Sequence, residues 1–122
     1  DLAPAIPIME DWLTKYKGQF QVIYAHNDPM ILGAINVLKE AGYNPGDVFL
    51  VGVDGQREAF EAIKEGWLQA TAIYATGGAL GLDMAVRVLK GEPVPKRIIT
   101  ETPVITADTV DDFYDPSTQY VR

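Results

Sequence analysis

Apolar residues in this chain switch period three times over, from short continuous runs of strand length to stretches that recur every three or four positions. A chain patterned in this way satisfies its backbone by laying its strands side by side and crossing between them through helices, with right-handed crossovers into a parallel sheet. The first run covers residues 22–25 and is followed by Ile31, Leu32, Ile35, Leu38 and Ala41, one stripe of a helix. Asp28 offers a cap for that helix, and Pro29 suits its first position, where no N–H is needed. Gly42 ends it, and Asn44-Pro45-Gly46 makes a turn. The second run, 48–53, hardly alternates and is expected to be buried on both faces; Ala59, Phe60, Ile63 and Trp67 then mark a short helix stopping near Gly66. The third, 69–74, is rich in Thr and Ile, and Gly77-Gly78 opens a helix with Leu80, Leu82, Ala85, Val86 and Leu89 on its apolar side. The expected fold class is α/β, a three-layer αβα Rossmann-like parallel sheet.

Two segments flank these units. Residues 5–16 place Ile8, Met9, Trp12, Leu13 and Tyr16 on one helical face, with Gly18 as the stop. After the Pro93 and Pro95 loop come Ile98-Ile99 and an extended piece at Pro103-Val104-Ile105. The remainder, 106–122, is acidic and aromatic; Thr106 or Asp108 is a candidate cap for a short helix through Phe113, for which the core offers no evident place. The chain is accordingly divided into a lobe at 1–105 and a tail at 106–122.

With 122 residues, 48% of them apolar, there is material for one core. The net charge of −7, with Lys and Arg scattered, argues against nucleic acid and anionic membrane surfaces as partners. No apolar run approaches the roughly 20 residues of a membrane helix, so membrane insertion is not expected. The absence of cysteine excludes disulfides and thiolate chemistry without fixing the compartment.

Polar residues gather where the strands stop. Ligands of open parallel sheets bind outside the carboxyl ends of the strands, which puts Asn27 and Asp54 on one cleft. An amide and a carboxylate supply hydrogen bonds for a polyol and no reaction centre. Both have local alternatives: Asn27 as a turn former, Asp54 as a cap for the following helix, although Gly55-Gln56-Arg57 stands between it and the apolar stripe. Tyr74 ends a strand on the cleft side and is a stacking candidate, whereas Trp12 and Trp67 fall in packing positions. His26 is the single histidine and, with Asp28, a poor metal set. Ser117, the single serine, lies in the tail and not on a rigid elbow, which argues against a hydrolase. Gly77-Gly78-Ala79-Leu80-Gly81 fits neither nucleotide fingerprint and reads first as a turn with close helix packing. No catalytic set, metal site or cofactor motif is expected.

Three segments, Ala25-His26-Asn27-Asp28-Pro29-Met30-Ile31-Leu32-Gly33-Ala34, Val51-Gly52-Val53-Asp54-Gly55 and Leu89-Lys90-Gly91-Glu92-Pro93-Val94-Pro95-Lys96, together resemble the C-terminal lobe of type I periplasmic sugar-binding proteins of the ribose and galactose type. The resemblance runs from about residue 20 to 114. It implies a solute-binding component of a bacterial ABC importer, with a sugar or polyol held between two lobes and the transporter permease as partner. It also implies a periplasmic or cell-envelope location, and hydrogen bonds from Asn27 and Asp54 to sugar hydroxyls. The third polar contact of that family falls near Tyr74, so a phenol contact or ring stacking takes its place. By the same resemblance this chain is a fragment lacking the opposing lobe, with 102–107 crossing the hinge and the tail packing on the other lobe. The alternative is the effector-binding core of a lac-repressor-type sugar-responsive transcription repressor, which shares the strand-end Asn-Asp segment; a small α/β enzyme using Asp54 and His26 ranks last.

Overall fold

The structure, a computed structural model, describes residues 2–16 and 19–119. Helix α1 (Leu2–Tyr16) leads into strand β1 (Val22–Tyr24), α2 (Asp28–Glu40), β2 (Phe49–Asp54), α3 (Arg57–Lys64), β3 (Ala70–Ile73), α4 (Gly78–Leu89), β4 (Val104–Thr106) and α5 (Val110–Phe113). The expected stop at Gly18 lies outside the described residues. The sheet order is β1-β2-β3-β4; β1, β2 and β3 are parallel and β4 runs antiparallel to β3.

The parallel α/β sheet read from the sequence is present, with β4 as an antiparallel strand at its edge. Strands β1, β2 and β3 are added in one direction, and right-handed crossovers then put α2 and α3 on the same face. That face is the core: Ile23, Leu50, Thr71 and Ile105 from the strands meet Ile31, Ile35 and Leu38 of α2 and Phe60 and Ile63 of α3. The opposite face is open, with Val22, Tyr24, Phe49 and Val104 all more than half exposed. Among the described residues one face of the sheet is thus covered, and β2, expected to be buried on both faces, is buried on one.

Helix α1 docks on α2 through a close approach at Gly33, where a Cβ would stand 2.9 Å from the Leu2 carbonyl oxygen. Met9 is the α1 side chain carried deepest into the core, while Trp12 and Tyr16 stay near half exposed.

Two further expectations are corrected. Helix α4 carries the apolar stripe predicted for it, yet none of its residues is buried; Leu82 is 69% exposed and Leu89 87%. The topology gives the reason: the chain leaves the sheet at the carboxyl end of β3 and returns antiparallel at that same end, where the Ile73 amide donates to the Pro103 carbonyl at 2.9 Å. The whole 74–103 excursion therefore projects beyond the sheet edge.

The tail, for which the sequence offered no home, packs on this lobe. Val110 is 2% exposed in the core, and Phe113 and Tyr114 lean on it. Lys64 Nζ meets Asp111 Oδ1 at 2.6 Å and sits over the Tyr114 ring, Tyr114 donates to Glu61, and the Arg57 amide donates to the Gln119 carbonyl. The α5 N-cap is Thr109, not Thr106 or Asp108.

Candidate functional site

The strand register places the three candidate residues along one edge. Tyr24 pairs with Val51 and the Ala25 amide still donates to the Val51 carbonyl, so Asn27 and Asp54 each lie three positions past that pair. Asp54 in turn pairs with Ile73, and Tyr74 is the next residue. All three therefore stand at the carboxyl ends of adjacent parallel strands, where ligands of such sheets bind. Asp54 and Tyr74 line an open cleft with Thr76, Gly78, Leu80 and Thr100 of the projecting excursion.

Asn27 is the N-cap of α2; its backbone is extended and its Oδ1 accepts from the Met30 amide at 2.9 Å. The cap is thus one residue earlier than the sequence reading placed it, with Asp28 as the first helical residue and Pro29 the second. The turn-forming role that competed with ligand contact is real for Oδ1. Capping fixes the amide plane, and no hydrogen bond among the described residues uses its Nδ2, which remains a donor of set direction.

Asp54 does not cap α3, whose N-cap is Gln56. It is the one described residue other than glycine with a positive φ, 125°, a conformation that costs an L residue about 1–3 kcal/mol and that concentrates at functional sites. Among the described residues its carboxylate has neither a hydrogen bond nor an ion pair. Tyr74 lies just past β3 and is 66% exposed.

Beneath Asn27 and Asp54 lies a cluster that sequence reasoning missed. The carboxylate of Asp28 is fully buried; Oδ1 accepts from the Thr71 hydroxyl at 2.7 Å and Oδ2 from the Gln56 amide at 2.8 Å. Thr71 Oγ1 also accepts from the Gly55 amide at 3.4 Å. Burial pushes the Asp28 carboxyl up from 3.8 to about 6; the Gln56 amide and the Thr71 hydroxyl pull it back, and the nearby Asp54 charge adds to the rise. Gly52 makes room for this carboxylate, since a Cβ there would run into Asp28 Oδ1 and stand 3.0 Å from Ile31 Cγ2. The sequence signal was an isolated glycine inside an apolar strand, which marks close approach by another group.

The remaining candidates are kept apart. The His26 ring lies edge-on to Tyr24, with centroids 5.3 Å apart, and the Ser117 hydroxyl donates to Asp115. Among the described residues no three His, Asp or Glu side chains converge to hold an ion, and no helix is long and apolar enough to cross a membrane. Gly77 is the left-handed N-cap of α4, the turn that was expected, but the close helix packing expected with it is absent, since a Cβ at Gly77, Gly78 or Gly81 would meet nothing within 4 Å.

An amide and a carboxylate without a partner among the described residues thus stand at adjacent strand ends of an open-edged parallel sheet. The family model described as "Periplasmic binding protein domain" matches residues 1–93, and the chain belongs to that family. A xylitol-binding protein of Mycolicibacterium smegmatis is 36% identical over 88% of this chain, and a ribose import binding protein of Salmonella typhimurium is 38% identical over 77% of it. The chain spans 31% of the length of each. Among solved structures, an ABC transporter solute-binding protein from Mycobacterium smegmatis with bound glycerol superposes at a TM-score of 0.83, with 32% identity over 98% of this chain and 42% of the other. The periplasmic component of the arabinose ABC transporter from Shewanella, bound to L-arabinofuranose, gives 0.81 with 34% identity over 91% of this chain and 38% of the other. These relatives are binding proteins, not enzymes.

Proposed function

We propose that this chain is the ligand-gripping part of one lobe of a periplasmic receptor for a sugar or polyol, delivering its ligand to the permease of an ABC importer. The observation that carries the reading is the row of Asn27, Asp54 and Tyr74 along one strand edge, with an Asp54 carboxylate that has no partner among the described residues. A carboxylate accepts from two vicinal hydroxyls, the Asn27 Nδ2 donates to a hydroxyl or ring oxygen, and the Tyr74 ring covers an apolar sugar face. The relatives named for xylitol, ribose and arabinofuranose support a pentose or pentitol as the ligand class. They also favour a transport receptor over a repressor core.

The two strands of chain at 74–77 and 100–103 are the routes to an opposing lobe, and the apolar side of α4 is the surface that lobe covers. Closure about those connections buries the sugar between the lobes. Calorimetric titration of the complete two-lobed receptor with D-ribose, L-arabinose and xylitol tests this. At least one is expected to bind, and Asn27→Ala and Asp54→Ala are each expected to weaken that ligand by about 1–3 kcal/mol. Unchanged affinity in both variants would remove the assignment.

A further inference from the structure

Asp54 is held in its unusual backbone conformation by groups that do not face the cleft. The two amides that follow it, those of Gly55 and Gln56, are each taken by a buried acceptor, Thr71 Oγ1 at 3.4 Å and Asp28 Oδ2 at 2.8 Å. The two acceptors are themselves joined by the hydrogen bond from Thr71 to Asp28 Oδ1. Asp28 and Thr71 are fully buried, on α2 and β3, so the loop leaving β2 is tied to elements on both sides of it. Asp28 is also bonded through the chain to Asn27, which stands past the end of the neighbouring strand β1. Two glycines keep the cluster open: Gly52 leaves room for Asp28 Oδ1, and Gly55, at φ +77°, would bring a Cβ to 2.8 Å from Ile73 Cγ1.

We infer that the buried Asp28–Thr71 pair positions the Asp54 carboxylate for its ligand, fixing its backbone and its separation from Asn27. The pair touches no ligand and acts through the amides of Gly55 and Gln56. The inference rests on the reading of Asp54 as a sugar contact. Its physical content is that a strained φ persists only where surrounding structure over-determines it, and these hydrogen bonds are what does so.

The test reads the conformation of Asp54 and its affinity separately. In the isotopically labelled 122-residue chain, the three-bond coupling between the amide and α protons of Asp54 is small at φ 125° and large in ordinary extended chain. Thr71→Val, which keeps the shape and removes the hydroxyl, is expected to raise that coupling and to speed exchange of the Gly55 amide; Thr71→Ser is expected to restore both. Leu38→Ala, a core truncation at the far end of α2, is expected to lower stability and leave the coupling unchanged, which separates positioning from general destabilisation. With D-ribose as the probe, Thr71→Val is expected to weaken binding about tenfold and Thr71→Ser to recover it. A small coupling that survives in Thr71→Val, or affinity lost equally in Leu38→Ala, overturns the inference. Asp54→Ala binding D-ribose as the wild type does overturns the sugar reading and this inference together. An unaltered Thr71→Val beside an Asp54→Ala that has lost binding overturns the inference alone.

Discussion

Replacing Gly52 by alanine adds one methyl group to the interior of β2, in a position where the structure leaves no room. The new Cβ runs into Asp28 Oδ1 and lies 3.0 Å from Ile31 Cγ2, and both neighbours are fully buried on the first turn of α2. Ile31 yields only by shifting the helix, an overpacking cost of about 1–3 kcal/mol. Moving Asp28 stretches its hydrogen bonds to Thr71 and Gln56, and losing one of them in a buried setting costs a further 1–3 kcal/mol or about that. A loss of about 2–6 kcal/mol in all is a large part of the stability of a domain this size. Urea unfolding followed by the fluorescence of Trp12 and Trp67 measures it as a fall in midpoint at unchanged slope. Gly42→Ala is the control, because at φ +82° it meets nothing within 4 Å and carries only the left-handed backbone penalty of about 1–2 kcal/mol. Gly52→Ala unfolding within about 0.5 kcal/mol of the wild type would refute the close packing of the Asp28 cluster.

The same carboxylate sets a pH dependence. Its folded pKa, about 6 against 3.8, makes the native state the tighter proton binder, so this group's stabilising contribution is complete below about pH 4 and is lost as pH rises through about 6. The span is about 3 kcal/mol, and Asp28→Asn is expected to flatten that part of the stability profile, read by urea midpoints across the window. Val110→Ala removes two methyl groups from a residue 2% exposed and is expected to cost about 1.5–3 kcal/mol in the same assay; a neutral result would detach the tail from the lobe. Leu82→Gln on α4 is expected to leave the stability of this chain within about 0.5 kcal/mol, since that side chain is 69% exposed.

Hydrophobic period told which segments are strands and which are helices, because a strand or an amphipathic helix writes its own geometry into the spacing of apolar residues. It did not tell which surface an apolar stripe meets. Helix α4 and the exposed face of the sheet, with Tyr24 and Phe49, carry stripes as apolar as those of α2; the single direction of strand addition leaves the sheet face uncovered, and the excursion beyond the sheet edge does the same for α4. The tail misled for the opposite reason: among the described residues Val110 is its one fully buried side chain, with Phe113 and Tyr114 only partly covered, too little for a periodic signal. That Asn27 and Asp54 stand at strand ends was legible, because a polar residue that stops an apolar run marks where its strand leaves the sheet. Asp28 was read as a cap because Asn27 and Asp28 are both good capping residues, and only the register of Gly52 with Thr71 shows the buried space between them.

The central claim, that Asn27, Asp54 and Tyr74 form one side of a sugar clamp, is tested most directly by NMR titration of the labelled 122-residue chain with D-ribose, L-arabinose and xylitol. The account predicts weak, saturable shifts confined to the Asn27 side-chain amide, Asp54, Gly55 and the 74–78 segment, and their loss in Asp54→Ala. Shifts clustered on any other face, or tight binding that survives Asp54→Ala, would contradict it.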